Sequence, residues 1–430
     1  MLDMKWIRQH PETVQTAANR KGISISIPDL LASDDRKRRL QQEVDDMRRE
    51  RNKLSEEIGR LMKQGLAAQA EQQRQAAKGL NDRLGAKEAL LAEEERNFSE
   101  MLMRVPNIVS PDTPVGGSDA DNVEVKRAGE LPVFDFEPKD HVALGALHDM
   151  IDIPRGVKTA GSRHYFLKGT GVLLHRAVQQ LALDLLLGKG FTPLEVPLIV
   201  RGEALWNTGF FPDGQAQTYK LEDGDQWLTG TSEVSLVSYY SNEIVDLIEP
   251  IRLAAVSTCF RSEVGSAGKD VHGLYRVHQF AKVEQVIVCE ADPVLSERML
   301  QQITGNSEEL LRLLELPYRV MAVCTGDMAQ KTYKQYDIET WMPSRESYGE
   351  THSASNLHDY QARRSNIRYR DSNGSLKYCH TLNNTAVASP RILIPLIENH
   401  QEEDGSIRIP KALRPYLGGV ERLIPHRTDT

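Results

Sequence analysis

Residues 257–288 read STCFRSEVGSAGKDVHGLYRVHQFAKVEQVIV, and this stretch sets the architecture of the second part of the chain. Apolar runs at both ends flank a loop rich in Gly and Ser, which is the pattern of a β-hairpin. Arg261 and Glu263 lie two residues apart and are therefore expected on one face of the first strand. Lys282 and Glu284 share a face of the opposite strand by the same rule. The hairpin is thus expected to carry charged side chains on strands that are otherwise built for a core.

The residues alone leave two interpretations of Arg261 open. The first is a salt bridge across the hairpin. The second is a phosphate site, because the planar guanidinium can donate to two oxygens at once. Phe280 also has two possible roles, because its ring could stack on a purine or simply belong to the core.

A second informative stretch is TLNNTAVASPRILIPLIENHQ, residues 381–401. It predicts a strand end that leads into an amphipathic helix, with Ser389 as N-cap and Pro390 at the first helical position. Arg391 would then lie at a helix N-terminus, where a cation is unfavourable. That position indicates an anionic partner, either a phosphate in a shared site or a nearby carboxylate.

Upstream, GKGFTPLEVPLIV at residues 188–200 follows a helix expected at about 173–187. Two prolines favour an edge strand, because proline cannot donate to a sheet ladder. An alternative is a strand at a subunit boundary, with Pro197 at the contact.

The first hundred residues differ in character and predict a helical hairpin. Gly and Pro are scarce there, whereas Pro106, Pro111, Pro114 and the pair Gly116-Gly117 mark a linker. Apolar residues recur at coiled-coil spacing in two stretches, which are Leu40, Val44, Met47, Leu54, Ile58 and Leu61, and then Leu80, Leu84, Leu91, Phe98 and Met101. A break at residues 63–66 separates them, so we expect an antiparallel arm, preceded by a helical cap from Asp3 to about Arg20.

The composition limits the classes of protein to which the chain can belong. The chain has 430 residues, of which 40% are hydrophobic and 27% charged, as is typical of a protein with two or three globular domains. The net charge of −8 disfavours bulk capture of nucleic acid, although a local basic face on the arm could still bind phosphates. The four cysteines are widely spaced and predict neither a disulfide framework nor a zinc site. No signal or transit peptide and no long apolar run is recognisable, so we expect a cytoplasmic protein.

Common nucleotide and hydrolase motifs are missing from the sequence. It contains no G-x-x-x-x-G-K-[ST] loop, no G-x-G-x-x-G after a strand, no H-E-x-x-H and no nucleophile elbow.

Taken together, the motifs resemble those of the seryl-tRNA synthetases of bacterial type, a family of class II aminoacyl-tRNA synthetases. The matching motifs are TGTSEV (229–234), FRSE (260–263), HQFAKVE (278–284), ETHSASNLHDYQARR (350–364), TLNNTAVASPR (381–391) and DGSIRIPKALRPYLGG (404–419). The resemblance covers essentially the whole chain, and the combination is highly specific. It implies an α+β fold, with an antiparallel sheet flanked by helices and a coiled-coil arm, and it implies a homodimer. The implied domains are a tRNA-binding domain at 1–104, with its arm at about 29–103, and a catalytic domain at 105–430.

The resemblance also implies a set of site residues. Contacts with serine are assigned to Thr231, Ser232, Glu233, Glu284 and Thr385. Contacts with ATP are assigned to Arg261, Ser262, Glu263, Val277, Phe280, Glu350, Thr351, His352, Ser353 and Arg391. Arg261 at the α-phosphate and Arg391 at the γ-phosphate are the implied catalytic residues. Glu350 and Ser353 are the implied Mg²⁺ ligands.

The implied reaction is the activation of L-serine with ATP and its transfer to tRNA(Ser), which the arm holds. Whether tRNA(Sec) is also charged stays open, and neither DNA nor a membrane is expected as a partner. The chain departs from the commoner family pattern at NNTA, PR and ETHS, yet it keeps the hydroxyl and the terminal arginine. Two rival hypotheses are a paralogue that loads serine onto a carrier protein and a non-catalytic RNA-binding or coiled-coil protein.

Overall fold

The computed structural model describes residues 1–264 and 272–425 of the chain. Residues 265–271, which belong to the loop of the expected hairpin, lie outside the described residues. The chain forms two compact units. The smaller unit comprises Asp3–Asn19 and Ile23–Val105, and the larger unit comprises Met1–Leu2, Arg20–Gly22 and the chain from Pro106 onward.

Helices dominate the smaller unit. They are α1 (Met4–Gln9), α2 (Pro11–Arg20), α3 (Ile27–Lys63) and α4 (Ala67–Arg104). Asp3 caps α1 by accepting hydrogen bonds from the backbone N–H groups of Lys5 and Trp6. The expected single cap helix is in fact two helices, because Pro11 has no N–H to continue α1 and instead begins α2.

Helices α3 and α4 form the predicted antiparallel arm, which confirms this part of the fold. Gly65, with φ +75°, turns the chain between them in a conformation that glycine adopts without strain. Val44, Leu84 and Leu91 form the buried seam. With 37 residues in α3, the arm is roughly 55 Å long.

The larger unit is an α+β domain, as predicted. Its strands are β1 (Val123–Ala128), β2 (Ile151–Asp152), β3 (Phe166–Leu167), β4 (Thr192–Pro193), β5 (Ile199–Arg201), β6 (Gln226–Leu228), β7 (Ile244–Val245), β8 (Ile251–Phe260), β9 (Gln279–Cys289), β10 (Tyr318–Ala322), β11 (Lys334–Met342), β12 (Ser347–Asn356), β13 (Arg368–Arg370), β14 (Leu376–Tyr378), β15 (His380–Ser389), β16 (Ile407–Arg408) and β17 (Arg422–Leu423). Its helices are α5 (His141–Leu147), α6 (Ile153–Ala160), α7 (Thr170–Gly188), α8 (Gly202–Asn207), α9 (Glu233–Ser238), α10 (Pro293–Leu313), α11 (Tyr360–Ser365) and α12 (Leu393–Asn399).

Eight strands form the main sheet in the order β1-β10-β11-β12-β15-β9-β8-β4. All neighbouring pairs are antiparallel except β4 and β8, which run parallel. Strand β4 lies at the edge, as the prolines of this segment predict, but it is only two residues long and contains only Pro193. Pro197 is not in a strand, and its carbonyl accepts a hydrogen bond from Ser235 Oγ at 2.7 Å.

The two faces of the sheet differ in chemistry. Val283 and Ile287 of β9 belong to a large apolar core that includes α7 and α10. Lys282 and Glu284 alternate with them and point to the other face. The period-two pattern of β9 therefore packs one face against α7 and α10. On the other face, Lys282 and Glu284 line a cavity, whereas Val286 and Val288 belong to a second apolar cluster.

A buried amide network joins the sheet to α10. Gln285 Nε2 donates to Asn384 Oδ1 at 2.7 Å, and Asn306 Nδ2 donates to Gln285 Oε1 at 2.8 Å. Ser307 Oγ donates to the same Asn384 oxygen at 2.6 Å. These buried hydrogen bonds connect β9, β15 and α10 and favour their observed alignment.

The predicted cap at the end of β15 is wrong. Ser389 is still in β15, the Ser389–Pro390 peptide bond is cis, and α12 begins only at Leu393 with Ile392 as N-cap. Ser389 Oγ lies 2.8 Å from His175 Nδ1 instead of capping the helix. Arg391 therefore lies in the turn before α12.

The four cysteines are buried free thiols. Within the described residues, every helix is too short or too polar to cross a bilayer.

Candidate active site

A cavity of about 320 Å³ opens on the face of the main sheet that carries Lys282 and Glu284. Thirteen of the fifteen predicted site residues line it, which are Thr231, Glu233, Arg261, Glu263, Val277, Phe280, Glu284, Glu350, Thr351, His352, Ser353, Thr385 and Arg391. Ser232 and Ser262 are not among the described residues that line it. Ser232 precedes α9 and is fully buried, and Ser262 Oγ donates to the carbonyl of Ala216 at 3.0 Å.

One end of the cavity is rich in arginine and aromatic side chains. Strand β8 ends at Phe260, so Arg261 and Glu263 lie just beyond it, and their expected strand alternation does not apply. The Arg261 guanidinium lies 5.3 Å from the centroid of the Phe280 ring, and its Nε donates to the carbonyl of Gly230 at 3.3 Å. Together they offer an anion-binding fork beside a ring that can stack on a planar base.

Glu263 is held in place by a neighbouring arginine. Its Oε2 lies 3.4 Å from Arg276 Nη1, and its backbone has a positive φ of 47°. Such a conformation is uncommon for a residue other than glycine, asparagine or aspartate and often marks a functional site.

Arg391 reaches the cavity from the turn before α12. Its Nε donates to the carbonyl of Tyr275 at 3.0 Å, and its Nη1 donates to the carbonyl of Glu350 at 3.1 Å. The guanidinium stacks on the Tyr275 ring, with 4.4 Å between its carbon and the ring centroid. Its nearest carboxylate oxygen is Glu350 Oε2 at 3.8 Å, so the guanidinium is oriented mainly by backbone carbonyls.

Strands β11 and β12 place several side-chain oxygen atoms close together at the cavity. Gln335 Nε2 donates to Asp337 Oδ1 at 2.9 Å and to Ser353 Oγ at 3.2 Å. Burial, followed by repulsion from Glu350, raises the pKa of Asp337 to about 8. Glu350 and Ser353 therefore lie beside a second carboxyl group, that of Asp337.

The charge and the donor set of this region suit a hard cation. Among the described residues, no group of three or more His, Cys, Asp and Glu side chains is arranged to hold a metal. Magnesium does not require one, because it keeps several waters and is bound through one or two carboxylates plus substrate phosphates. Glu350 and Ser353 thus fit the predicted ion.

Thr351 and His352 form a hydrogen-bonded chain within the sheet. His352 Nδ1 lies 2.8 Å from Thr351 Oγ1, which lies 2.6 Å from Thr340 Oγ1. Burial lowers the pKa of His352 to about 3, so this imidazole is neutral at physiological pH.

The other end of the cavity holds buried carboxylates. Glu284 on β9 lies directly opposite Thr385 on β15 in the antiparallel register. Its Oε2 lies 2.6 Å from Lys282 Nζ, and both side chains are almost fully buried. Burial raises the pKa of Glu284, with a further increase from Glu233, while Lys282 opposes the change.

Glu233, at the start of α9, is the second buried carboxylate. Its Oε1 accepts hydrogen bonds from Lys331 Nζ at 2.6 Å, Gln361 Nε2 at 2.7 Å and Asn383 Nδ2 at 2.7 Å. Thr231 Oγ1 accepts from the Glu233 backbone N–H at 3.2 Å. This end can bind a small molecule that carries an ammonium group and a hydroxyl.

Sequence reasoning missed several residues at this site. Lys331, Asn383 and Gln361 contact the Glu233 carboxylate, and Asp337 lies beside the predicted metal ligands, yet none was predicted as a site residue. Asn383 lies two residues before Thr385 on the same strand, so the strand period could have indicated it. Lys331 and Gln361 have no comparable local pattern.

Family models match both parts of the chain. The model described as the seryl-tRNA synthetase N-terminal domain matches residues 1–109. The model described as the tRNA synthetase class II core domain (G, H, P, S and T) matches residues 219–400.

Curated relatives match over nearly their full length. A serine–tRNA ligase of Deinococcus radiodurans is 47% identical, over 98% of this chain and 99% of the relative. A serine–tRNA ligase of Rubrobacter xylanophilus is 42% identical, over 97% of this chain and 98% of the relative.

Solved structures share the fold. Seryl-tRNA synthetase from Pyrococcus horikoshii, complexed with ATP, has a TM-score of 0.88 and 37% identity, over 99% of this chain and all of that one. A cytoplasmic serine–tRNA ligase from Naegleria fowleri, in complex with AMP, has a TM-score of 0.83 and 27% identity, over 97% and 96% of the two chains. Identity of this extent over the whole length, together with both domain models, shows that the chain belongs to the seryl-tRNA synthetase family of class II aminoacyl-tRNA synthetases.

Proposed function

We propose that this chain activates L-serine with ATP to form seryl-adenylate and pyrophosphate, and then transfers the seryl group to tRNA(Ser). The observation that carries the proposal is the division of one cavity into an arginine end and a carboxylate end. Arg261 and Arg391 suit the phosphates of ATP, whereas Glu233, Glu284 and Thr385 suit the ammonium and hydroxyl groups of serine.

The first step requires positioning and charge stabilisation. A serine carboxylate oxygen attacks the α-phosphorus, and pyrophosphate leaves. Because the carboxylate is already ionised at neutral pH, the step needs no general base. Arg261 stabilises charge at the α-phosphate, Arg391 binds the γ-phosphate, and Phe280 stacks on the adenine beside Val277. In the second step a terminal ribose hydroxyl of the tRNA attacks the acyl carbon, and AMP leaves.

Magnesium is the proposed cofactor, with Glu350 and Ser353 as its protein ligands. When bound, it would neutralise phosphate charge. Glu263, Thr351 and His352 complete the ATP side of the cavity.

Serine is selected through its hydroxyl. A site built to hydrogen-bond a substrate hydroxyl discriminates strongly against an analogue that lacks it, because the buried partners are left unpaired. Glu284 and Thr385 lie opposite each other and are the proposed partners, while Thr231 and Glu233 face the amino group.

We further propose that the arm recognises the tRNA by its backbone and shape. The arm carries both cross-helix ion pairs, such as Arg36 with Glu94 and Arg48 with Glu88, and other basic residues, such as Arg39 and Lys53. Since the paired arginines stabilise the hairpin, we assign phosphate contacts to the remaining basic side chains. Function as a cytoplasmic homodimer and charging of tRNA(Sec) belong to the same proposal.

The first test is ATP–pyrophosphate exchange with each of the twenty amino acids, followed by charging of total tRNA. Serine-dependent exchange together with seryl-tRNA formation is the expected result. Exchange without charging would favour the paralogue that loads a carrier protein. No exchange with any amino acid would leave a binding protein and overturn the proposal.

Deletion of residues 33–100 tests the arm separately. We expect this variant to retain serine-dependent exchange and to lose tRNA charging. Exchange activity serves as the internal control for folding of the catalytic unit. Unchanged charging would show that the arm is not needed to hold the tRNA.

A further inference from the structure

Lys331 is a buried cation in the wall of the serine end of the cavity. Only 8% of the residue is exposed, and it precedes β11. Its Nζ lies 2.6 Å from Glu233 Oε1 and 4.4 Å from the centroid of the Phe210 ring, and Phe210 also lines the cavity. A buried ammonium between a carboxylate and an aromatic face has a defined position.

The backbone around Lys331 is fixed by another buried lysine. Lys21 Nζ donates to the carbonyls of Ala329 at 3.3 Å, Gln330 at 3.2 Å and Thr332 at 2.5 Å. Asn107 Nδ2 donates to the carbonyl of Lys331 itself at 3.1 Å. The direction of the Lys331 side chain is therefore set by the surrounding structure.

The three donors to Glu233 all converge on one oxygen. Lys331, Gln361 and Asn383 donate to Oε1, and Gln361 is itself held by Thr381 Oγ1, which donates to its Oε1 at 2.7 Å. Within the described part of the chain, the hydrogen bonds to this carboxylate are made at Oε1, which leaves Oε2 for a ligand. A carboxylate held in this way has one free oxygen with a fixed direction.

We propose that Lys331 is a positioning residue for serine binding, which holds the Glu233 carboxylate so that its second oxygen receives the ammonium group of the substrate. The inference rests on the proposed serine activation and adds a residue to it. Gln361 and Asn383 supply neutral donors, whereas Lys331 alone among the three supplies charge. Its ammonium group lies 2.6 Å from Glu233 Oε1 and therefore holds the buried carboxylate in a fixed direction.

The same charge acts on the second carboxylate of the pocket. Among the described residues, the charged or titratable groups that act on Glu284 include Lys282, Glu233, Lys331 and the buried thiol of Cys259. Lys331 and Lys282 lower the pKa of Glu284, while burial and Glu233 raise it. Loss of Lys331 should therefore raise the pKa of Glu284. We then expect the acid limb of the pH profile of kcat/KM for serine to move to higher pH.

The test is Lys331→Met, which keeps an unbranched apolar stem and removes the charge. Because Glu233 would lose a charged partner, we expect the KM for serine in pyrophosphate exchange to rise on the order of 10- to 100-fold. The KM for ATP should be unchanged, and the acid limb of kcat/KM for serine should move to higher pH. If Lys331→Met does not fold, Lys331→Gln retains a donor without charge and is expected to give the same two changes.

Lys334→Met is the matched control. This lysine is 9% exposed and pairs with Asp112 at 2.7 Å and Glu297 at 3.1 Å, but it is not among the described residues that line the cavity. We expect it to lose stability without a change in the KM for serine. Equal KM values and pH profiles in Lys331→Met and the wild type would overturn the inference while leaving serine activation intact. If the wild type itself gave no serine-dependent exchange, the proposed function would fail instead.

Discussion

Substitution of Thr385 by valine tests how the proposed enzyme recognises serine. Thr385 lines the cavity directly opposite Glu284, and we propose that its hydroxyl contacts the hydroxyl of the substrate. Valine has nearly the same shape but cannot form a hydrogen bond. We expect this variant to fold normally and to lose discrimination between serine and alanine, which differ only in the hydroxyl.

The expected magnitude follows from the burial of the site. An unmatched buried hydroxyl costs about 1–3 kcal/mol, which corresponds to a roughly 5- to 150-fold decrease in kcat/KM for serine. Alanine brings no hydroxyl, so its kcat/KM should change little. Glu284 is less suitable for this test, because its removal would leave Lys282 as a buried unpaired cation, at a cost of about 3–5 kcal/mol in stability.

The assay is ATP–pyrophosphate exchange with serine and with alanine at matched enzyme concentrations. Thr304→Val is the control, since Thr304 Oγ1 donates to the Leu300 carbonyl at 2.8 Å within α10 and is not among the described residues that line the cavity. An equal decrease for both amino acids would assign Thr385 a structural role. An unchanged ratio at full activity would refute a contact between Thr385 and the substrate hydroxyl.

Three further predictions follow from the same structure. Arg391→Lys loses the second donor of a guanidinium anchored on Tyr275, so kcat for exchange should fall by about 100-fold with an unchanged KM for serine, measured by steady-state kinetics. Burial lowers the pKa of His352 to about 3 and that of His380 to about 4. In the unfolded chain both histidines take up a proton below a pKa of about 6.5, whereas in the folded protein they stay neutral. Each histidine should therefore lower the free energy of unfolding by about 1.4 kcal/mol per pH unit as the pH falls from about 6.5 toward 4, measured by urea unfolding. The four buried cysteines should resist a thiol reagent in the folded enzyme and react after denaturation, as monitored by absorbance.

Local sequence patterns were sufficient to predict the arm and the sheet hairpin. The seams of α3 and α4 follow from residue spacing, because a helix buries every third or fourth side chain. Strands β8 and β9 follow from their apolar runs. The sequence motifs also contain side chains that the fold brings into one cavity. The role of each side chain there is still a prediction.

Contacts between distant segments could not be predicted in this way. Lys331 and Glu233 are 98 positions apart, and Asn383 is 150 positions from the same carboxylate. Nothing in the local composition of either segment indicates the pairing, which depends on how the strands align. The prediction of Ser389 as an N-cap was wrong for a related reason. Strand β15 continues to Ser389, so α12 begins only at Leu393.

The two ends of the cavity differ in charge, and this difference favours one orientation of a bound amino acid. At the serine end, Glu233 and Glu284 are matched by Lys331 and Lys282, so the pocket is close to neutral before the substrate arrives. At the other end Arg261 is oriented by a backbone carbonyl, and its guanidinium can pair with an incoming anion. A zwitterionic amino acid gains most when its ammonium group lies at the carboxylates and its own carboxylate lies toward the arginine. That orientation would place the serine carboxylate beside the α-phosphate, which is the arrangement that adenylate formation requires.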